Sequence, residues 1–461
     1  MQQNDRVLTF LPIEKRVSKT NLQLRFEFRM RAHRDRNMIL IRRSPPLPLP
    51  TPGRSPARRL PGGSAYFCAS TITMRKPVLR RGRTIWLGRK KPPRYPVLRG
   101  HHETDVAIVG GGMTGAMIAE AFTRDGVRVA VVEAARIGHG STAASTALLL
   151  QEPDYDLKAL SDRYGKRVGK RIWMLSQDAA RDFVDTIRRL KITCDLTMRD
   201  SLYYTLDAER ARELQRELKR RHKAGLAGKW LEPAALLRAG GIHGAGAIRT
   251  SGNAQLNPLQ ACIGLIKAAA RRDAAIFEGS TINRIRSIGD GVRLYSANGT
   301  IDAKQVVIAT GYATRYFRPL AGRFKLRHTY VLATKRISVR ARRRLRLGKV
   351  MLWDTARPYH YVRWTSDRRL LLGGEDHPVK PGARRASQFA DATCSLREYF
   401  EELFPALGDV GIDTAWEGLF AMTPDSLPYI GPHRRYPRHA FALGYGGNGM
   451  TFAALAARIL V

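Results

Sequence analysis

The stretch "DVAIVGGGMTGAMIAEAFTRDGVRVAVVE", residues 105–133, determines the fold class that we predict for this chain. Its apolar runs at 106–109 and 127–132 have the composition of buried parallel strands, and the small apolar residues between them have helical spacing. Together the three segments predict a strand–helix–strand unit of about 30 residues, the length that such a crossover needs.

A glycine motif joins the first predicted strand to the helix. Gly110, Gly112 and Gly115 fit G-x-G-x-x-G, in which the first glycine makes the turn, the second admits a pyrophosphate and the third lets helix and strand pack closely. The phosphates would meet free N–H groups at the helix N-terminus. Glu133 ends the second strand, and its carboxylate can accept hydrogen bonds from ribose hydroxyls. An acidic residue at this position argues against a bound 2′-phosphate and so against NADP. The motif predicts dinucleotide binding and leaves NAD and FAD both open.

The composition suits an α/β enzyme with two domains, because 461 residues with 41 glycines and 44% hydrophobic residues can bury a sizeable core. No run approaches the ~18 apolar residues of a membrane span, so we predict no transmembrane segment. The cysteines are far apart and show no C-x-x-C, which favours a reducing cytoplasm over disulfides or zinc. They are Cys68, Cys194, Cys262 and Cys394.

The net charge of +41 is concentrated at the start of the chain, where residues 1–100 hold 24 Lys and Arg against 4 Asp and Glu. Binding to nucleic acid or to an anionic membrane is one explanation. We favour a solvated basic tail, because the basic residues lack interleaved aromatics. The Pro/Arg-rich residues 1–73 are predicted to be a disordered extension or the product of an upstream start, with Met74 as the natural initiator.

Three further stretches extend the glycine pattern. "GHGSTAAST" (138–146) follows the acidic residue and offers N–H groups and hydroxyls to the same pyrophosphate. "VVIATGY" (306–312) is predicted to be a buried strand that ends in a glycine turn. "GYGGNGMT" (444–451) precedes an apolar helix, whose N-terminus can stabilise a negatively charged group such as a reduced flavin.

In this order, and with "TPDSLPYIG" (423–431), these stretches resemble the FAD-dependent oxidoreductases of the D-amino-acid oxidase superfamily, of the glycine oxidase and sarcosine oxidase type. The resemblance covers roughly residues 100–461. It implies an α/β fold in which a Rossmann-type FAD-binding domain carries a second, β-sheet substrate (cap) domain. Some relatives bind flavin covalently through a His or Cys. The matching loop here reads Ser-Thr-Ala-Ala at 141–144, so noncovalent FAD is expected.

The resemblance also implies domain limits and cofactor contacts. A lead-in at 74–103 precedes a discontinuous FAD-binding domain at 104–160, 250–325 and 410–461, and the cap comprises 161–249 and 326–409. The residues expected to bind FAD are Gly110, Gly112, Met113, Thr114, Gly115, Glu133, Gly140, Ser141, Thr142, Thr146, Thr310, Gly311, Gly446, Gly447, Asn448, Gly449, Met450 and Thr451.

The chemistry implied by the resemblance is oxidation of the C–N bond of a small amine or amino acid, with hydride transfer to flavin N5 and reoxidation by O₂ or an electron carrier. Tyr330, Tyr359 and Tyr361 are candidates to line the substrate pocket. Arg363, or alternatively Arg357, is a candidate to clamp a carboxylate. If residues 359–363 form a strand, His360 points away from its tyrosine neighbours.

We assign no catalytic acid–base residue and no metal site, since no Ser-His-Asp arrangement and no His/Glu metal spacing is legible. Two alternatives stay open at this point. One is a flavoprotein that acts on tRNA or another nucleic acid, motivated by the basic charge. The other is a non-catalytic nucleotide-binding protein.

Overall fold

The computed structural model describes residues 80–88, 92–407 and 410–461, which all lie in one compact unit, Arg75–Val461. The predictions for the extension 1–73, for Met74 and for Cys68 lie outside the described residues. In the described part of the chain, no helix is both long enough and apolar enough to cross a bilayer.

The described ranges form eighteen strands and eleven α-helices. The strands are β1 (Arg80–Gly82), β2 (Gly100–Val109), β3 (Val129–Val132), β4 (Leu148–Leu149), β5 (Thr197–Thr205), β6 (Lys229–Leu231), β7 (Gly246–Gln255), β8 (Ala275–Phe277), β9 (Arg284–Ile288), β10 (Gly291–Tyr295), β11 (Gly299–Gly311), β12 (Lys325–Thr334), β13 (Met351–Asp354), β14 (Tyr361–Trp364), β15 (Leu370–Pro378), β16 (Ile412–Met422), β17 (Tyr429–His433) and β18 (Tyr436–Leu443). The helices are α1 (Met113–Arg124), α2 (Ser141–Ala144), α3 (Leu157–Tyr164), α4 (Lys166–Arg189), α5 (Ala208–Lys223), α6 (Pro233–Gly240), α7 (Pro258–Ala270), α8 (Arg318–Ala321), α9 (Val339–Leu345), α10 (Ala383–Leu403) and α11 (Gly449–Leu460).

The first sheet contains the predicted strand–helix–strand unit at its centre. Its order is β17-β18-β11-β2-β3-β8, and β10 and β9 extend it from β11. The central pairs from β18 to β8 are parallel. The carboxyl ends of these strands therefore meet at one edge, where ligands of open α/β sheets bind. The observed β2–α1–β3 unit and the second sheet confirm the predicted fold class.

Helix α1 is buried on all sides, from Met113 to Thr123. The sheet lies on one side of it, and α7 and α11 cover the rest. A helix enclosed in this way is expected to be apolar around its whole circumference. The exception is Glu120, which is tolerated because Arg189 and Arg272 donate hydrogen bonds to its carboxylate at 3.0 Å and 3.1 Å.

The second sheet follows the order β1-β16-β12-β15-β14-β13-β5-β7-β4, with β6 added beside β7. Its neighbours are antiparallel except for the parallel pair β13 and β5. One face packs through Val331 and Trp416 on residues that precede or follow the nucleotide loops. The opposite face is covered by α10, whose Leu396 and Phe400 are fully buried there. The nucleotide loops therefore lie on only one side of this sheet.

The sheets divide the chain differently from the predicted domain limits. Strand β16 lies in the predicted FAD-binding segment 410–461, yet it pairs with β12 of the second sheet. Strand β4 lies in 104–160 and pairs with β7. Conversely, α4 belongs to the predicted cap segment 161–249 but packs on α11. Strand pairing depends on distant partners, so local sequence patterns could not assign these elements.

Candidate functional site

The turn between β2 and α1 requires two of its glycines for its own geometry. Gly110 has φ +113°, and a Cβ there would approach the Ala309 carbonyl oxygen to 2.5 Å. A Cβ on Gly115 would collide with the Gly110 carbonyl oxygen. Helix and strand therefore approach at a distance that only glycine permits, as the motif predicted.

Gly112 is different, because nothing in the protein requires a glycine there. Its φ of −79° suits any residue, and the nearest atom to an added Cβ is the Thr142 hydroxyl at 3.4 Å. The missing side chain leaves the N-terminus of α1 open on this side. A ligand that approaches the backbone closely would explain the glycine, and a pyrophosphate is such a ligand.

Glu133 lies directly beside the glycine turn. One carboxylate oxygen accepts a hydrogen bond from the Gly111 N–H at 2.8 Å, and the other accepts from the Ala135 N–H at 2.8 Å. Each oxygen keeps a second lone pair. The side chain is only partly buried, so a ribose hydroxyl can add to the same carboxylate.

The second predicted loop, 138–146, is bonded to the first. The Met113 N–H donates to the Thr142 hydroxyl at 2.9 Å, which supplies the external cap that α1 lacks in its own residues. Ser141 donates from its hydroxyl to the Leu419 carbonyl at 2.6 Å and so joins α2, which begins after Gly140, to the second sheet.

The C-terminal glycine turn reaches the same region. Burial raises the pKa of Tyr445, and the Thr114 hydroxyl opposes the shift, which places this turn near the start of α1. The Gly444 N–H donates to the Gly311 carbonyl at 2.8 Å, next to Thr310 at the end of β11. The remaining predicted FAD residues of this segment are placed at the N-terminus of α11 and are Gly446, Gly447, Asn448, Gly449, Met450 and Thr451.

Two side chains hold the C-terminal turn in place. Asn448 donates to the Glu152 carbonyl at 2.7 Å, and Thr451 donates to the Leu150 carbonyl at 2.6 Å. The three backbone turns near residues 112, 141 and 447 therefore converge, and two helix N-termini face one region. Such a set of N–H groups and small residues fits a dinucleotide that carries a flavin.

Beside these turns lies a group of polar side chains that we call the substrate-side cluster, formed by Asp154, Thr329, Tyr359, Tyr361 and Asp376. The rings of Tyr359 and Tyr361 have centroids 5.9 Å apart. The Tyr361 and Thr329 hydroxyl oxygens are 3.1 Å apart. The structure thus brings together two of the predicted substrate residues, and adds three that the sequence did not single out.

The substrate-side cluster contacts two of the predicted cofactor loops. The Gly447 N–H donates to Asp154 Oδ2 at 2.9 Å, and the Tyr359 hydroxyl fills the space that a Cβ on Gly447 would take. On the other side, burial raises the pKa of Tyr361 and the nearby Thr146 hydroxyl opposes the shift. A substrate held by the cluster would therefore lie against the loops that are expected to line the flavin.

The two carboxyl groups of the cluster resist ionisation. Burial raises the pKa of Asp154 to about 6, although the Gly447 N–H and the charge of Arg357 oppose the shift. Burial also raises the pKa of Asp376 to about 7, against the opposing effects of the Thr329 hydroxyl and Arg327, and the negative charge of Asp154 adds to the increase. The two groups therefore change charge near neutral pH.

A β-bulge turns Asp376 into the cluster. Tyr330 pairs with Gly374, and beyond that pair two residues of β15, Glu375 and Asp376, lie opposite the single residue Thr329 of β12. Glu375 has φ +56°, which interrupts the alternation of the strand. Bulges of this kind redirect a side chain and are frequent beside active sites. Without the extra residue, Asp376 would point to the opposite face.

His360 lies on the other face of the sheet, as the strand periodicity predicted. Its Nδ1 is 2.8 Å from Asp354 Oδ2, its Nε2 is 3.3 Å from Glu375 Oε1, and its ring stacks on Tyr399 at 3.9 Å. Burial lowers the pKa of His360, but the two carboxylates outweigh burial and raise it. The imidazole thus contacts Glu375, the first residue of the bulge, from the face opposite the cluster.

Two predicted substrate residues do not join the cluster. Tyr330 is fully buried on the α10 side of the sheet, beside Phe389, because it alternates with Thr329 along β12. Arg363 is 2% exposed and donates to three backbone carbonyls, those of Thr146 at 2.5 Å, Leu256 at 2.7 Å and Trp364 at 3.3 Å. These bonds give Arg363 a structural role and argue against the predicted carboxylate clamp.

The alternative clamp, Arg357, lies at the edge of the cluster. It is exposed, it donates from Nη1 to the Ala356 carbonyl at 2.9 Å, and its charge acts on Asp154 and Tyr359. Sequence reasoning missed Asp154 and Asp376, and of these two only Asp376 had a usable signal. Paired glycines before an acidic pair, in "LLLGGED", mark a strand with a bulge.

Comparisons with known proteins agree with this geometry. The family model described as FAD dependent oxidoreductase matches residues 105–461. A γ-glutamylputrescine oxidoreductase of Escherichia coli (strain K12) is 28% identical over 365 residues, which cover 77% of this chain and 82% of that protein. A glycine oxidase of Bacillus subtilis (strain 168) is 24% identical over 364 residues, covering 77% and 91%. The crystal structure of glycine oxidase from Geobacillus kaustophilus shares the fold, with a TM-score of 0.64 and 22% identity over 78% of this chain and 93% of that chain.

Proposed function

Because the chain belongs to the DAO family of FAD-dependent oxidoreductases, we propose that it oxidises the C–N bond of a small amine or amino acid. Two of its relatives are named for γ-glutamylputrescine and for glycine, so amine and amino-acid substrates both occur among similar proteins. When bound, FAD would supply the two-electron acceptor that takes the hydride from the carbon next to nitrogen. The imine so formed would be hydrolysed by water.

One observation carries the proposal: the substrate-side cluster lies against both loops that would enclose the flavin. Asp154 accepts a hydrogen bond from the Gly447 N–H at the N-terminus of α11, and the Thr146 hydroxyl next to α2 acts on the pKa of Tyr361. A small molecule bound there would lie between polar side chains of the second sheet and the cofactor. Proximity of this kind is what a hydride transfer requires.

The residues of the first sheet would hold the cofactor. The N-terminus of α1 would face the pyrophosphate, with Gly112 leaving the space and Glu133 accepting from a ribose hydroxyl. The N-terminus of α11 would stabilise the negative charge of a reduced flavin. Noncovalent attachment, reoxidation by O₂ or an electron carrier, and a cytoplasmic location stay predictions.

The first experiment asks whether the chain binds FAD and whether substrates reduce it. We expect the purified protein to be yellow and to lose its flavin absorbance when amines or amino acids are added without oxygen. The matched variant is Gly112→Ala, because the nearest protein atom to the added Cβ is the Thr142 hydroxyl at 3.4 Å, whereas a pyrophosphate would need the same space. It should fold with the unfolding temperature of the wild-type apoprotein and contain little FAD.

Two results would contradict the proposal. A wild-type protein that takes up no FAD, even when refolded or titrated with it, would contradict the assignment of FAD as the cofactor. A bound flavin that stays oxidised with every amine and amino acid of a broad panel, yet is reduced by dithionite, would contradict the proposed C–N oxidation and leave the FAD assignment standing.

A further inference from the structure

The substrate-side cluster carries two carboxyl groups that no cation neutralises directly. Among the described residues, neither Asp154 nor Asp376 forms a salt bridge, and Asp376 Oδ1 is buried without a hydrogen-bond partner. An unpaired carboxylate in a recess is costly, because the protein does not replace the water that it loses. A positive ligand would compensate for the two groups when they are ionised; without one, their raised pKa values let them take up protons near neutral pH.

The nearby arginines bind elsewhere. Arg327 donates to the backbone carbonyl of Asp376 at 3.2 Å and so fixes the bulge. Arg363 is committed to three carbonyls, and Arg357 is exposed at the edge of the cluster. In the described part of the chain, neither Arg327 nor Arg357 forms a salt bridge with either carboxyl group, although the charge of Arg357 acts on Asp154 and that of Arg327 acts on Asp376. A carboxylate on the reacting carbon of a substrate would meet negative charge there.

The aromatic residues of the cluster suit a cation as well. Tyr359 and Tyr361 flank the region with rings tilted at 50°, and Tyr359 lies next to Asp154 at the Gly447 turn. Tyrosine faces attract ammonium groups, and the attraction adds to that of a carboxylate. Tyrosines and carboxylates together form the usual surroundings of a bound alkylammonium ion.

We propose, on the basis of the amine-oxidoreductase function above, that Asp154 and Asp376 bind the ammonium group of the substrate. The pair selects amines whose reacting carbon bears no carboxylate, and it rejects α-amino acids. The substrate class is therefore a primary alkylamine or a diamine. A distal acidic group, if a substrate carries one, would lie toward Arg357 at the edge of the cluster.

Binding can be tested apart from oxidation with two probes that have no hydrogen on the carbon next to nitrogen. These are tert-butylamine and 2-aminoisobutyrate, which differ only in that a carboxylate replaces one methyl group. Titrated into the FAD-loaded protein, tert-butylamine should bind and perturb the flavin spectrum, with a dissociation constant about 100-fold lower than that of 2-aminoisobutyrate. Equal affinities, or tighter binding of 2-aminoisobutyrate, would overturn the inference.

Oxidation gives the second measurement. Alkylamines and diamines of three to five carbons are compared with their α-carboxylated counterparts, as both enantiomers, by the rate of anaerobic flavin reduction. We expect the amines to reduce the flavin at least about 100-fold more efficiently. Reduction by the amino acids but not the amines would overturn the inference and leave the proposed function standing. Reduction by neither class would overturn both.

The variants Asp154→Asn and Asp376→Asn preserve shape and remove charge. Each should retain FAD and bind tert-butylamine roughly tenfold to 100-fold more weakly than the wild type. Each should also reduce the difference between amines and amino acids in the efficiency of flavin reduction. The matched control is Asp290→Asn, whose fully exposed carboxylate pairs with Arg438 at 3.2 Å far from the cluster in sequence. It should match the wild type. Unchanged selectivity in both cluster variants would overturn the inference.

Discussion

The nucleotide loops and the substrate-side cluster face each other but are built in different ways. Around Gly110, Gly112 and Gly115 the protein presents backbone N–H groups, and side chains are absent or small. Across from them the second sheet presents carboxyl and phenol groups, and the Asp376 carboxyl is placed by an irregularity in a strand. The cofactor is thus expected to be held by geometry, and the substrate to be chosen by charge.

This difference predicts unequal costs for changes on the two sides. In the nucleotide loops, one added atom would force a helix and a strand apart, so the fold itself would be destabilised. In the substrate-side cluster, a changed side chain would alter substrate selectivity while the fold persists. Three substitutions test the contrast, in order of decreasing expected effect.

Gly115→Val should have the largest effect. The added side chain would collide with the Gly110 carbonyl, and neither backbone segment can move without displacing α1 from the buried interface with α7 and α11. We expect the free energy of unfolding of the apoprotein to fall by about 3 kcal/mol or more. Urea denaturation measures it, and the matched pair Gly115→Ala and Gly112→Ala compares an added Cβ that collides with one that has room. Equal stability of the two alanine variants would break the contrast.

Asp376→Asn should have an intermediate effect of opposite sign. Its pKa of about 7 lies above the ordinary 3.8, so between pH 4 and pH 7 the folded state binds more protons than the unfolded state. The free energy of unfolding of the wild type therefore decreases as the pH rises through this window. The amide avoids that loss. The variant should gain about 1 to 2 kcal/mol more over the wild type at pH 8 than at pH 5.

The measurement is urea denaturation of the FAD-loaded protein at both pH values without substrate. Asp290→Asn serves again as the exposed control and should show no pH-dependent gain. If Asp376→Asn is destabilised at pH 8, the carboxylate contributes to the fold and the division between geometry and charge does not hold for the cluster.

Thr142→Val should have the smallest effect. It removes the acceptor of the Met113 N–H and so the external cap of α1. Loss of a capping hydroxyl costs about 1 kcal/mol, which corresponds to about a fivefold weaker FAD complex if the cap also orients the pyrophosphate site. FAD titration of the apoprotein measures it, and Thr142→Ser, which keeps the hydroxyl, should bind like the wild type. A complete loss of FAD would show that side chains matter on this side too.

The nucleotide side could be predicted from the sequence because its constraints are local. Gly110 and Gly115 are needed by atoms within one turn and its neighbouring strand, and Glu133 lies at the end of the next strand of the same unit. Strand periodicity also correctly placed the His360 and Tyr361 side chains on opposite faces of the sheet. Apart from the contact of Gly110 with Ala309 in β11, each of these features depends on residues close in sequence or on a repeat of two.

The substrate side could be predicted only in part, because its neighbours are distant in sequence. Periodicity placed Arg363 on the face of Tyr361, but it could not show that the carbonyls of Thr146 and Leu256 would occupy the guanidinium. Asp376 faces the cluster only because of the bulge. The predicted domain limits stay a prediction, but the sequence could not assign β16 to the second sheet, because β16 is placed there by its partner β12 and not by its own pattern.

The bulge at Glu375 has a consequence for how such a site can diverge. Deletion of Glu375 would restore the alternation of β15 and leave Asp376 opposite Thr329, but it would remove the carboxylate that contacts His360. Deletion of Asp376 would instead place Glu375 opposite Thr329 and turn a longer acidic side chain toward the cluster. Strand β12 would keep its register, since it pairs with β15 on both sides of the bulge. Substrate preference in this scaffold can therefore change through the loss of one residue from a single strand.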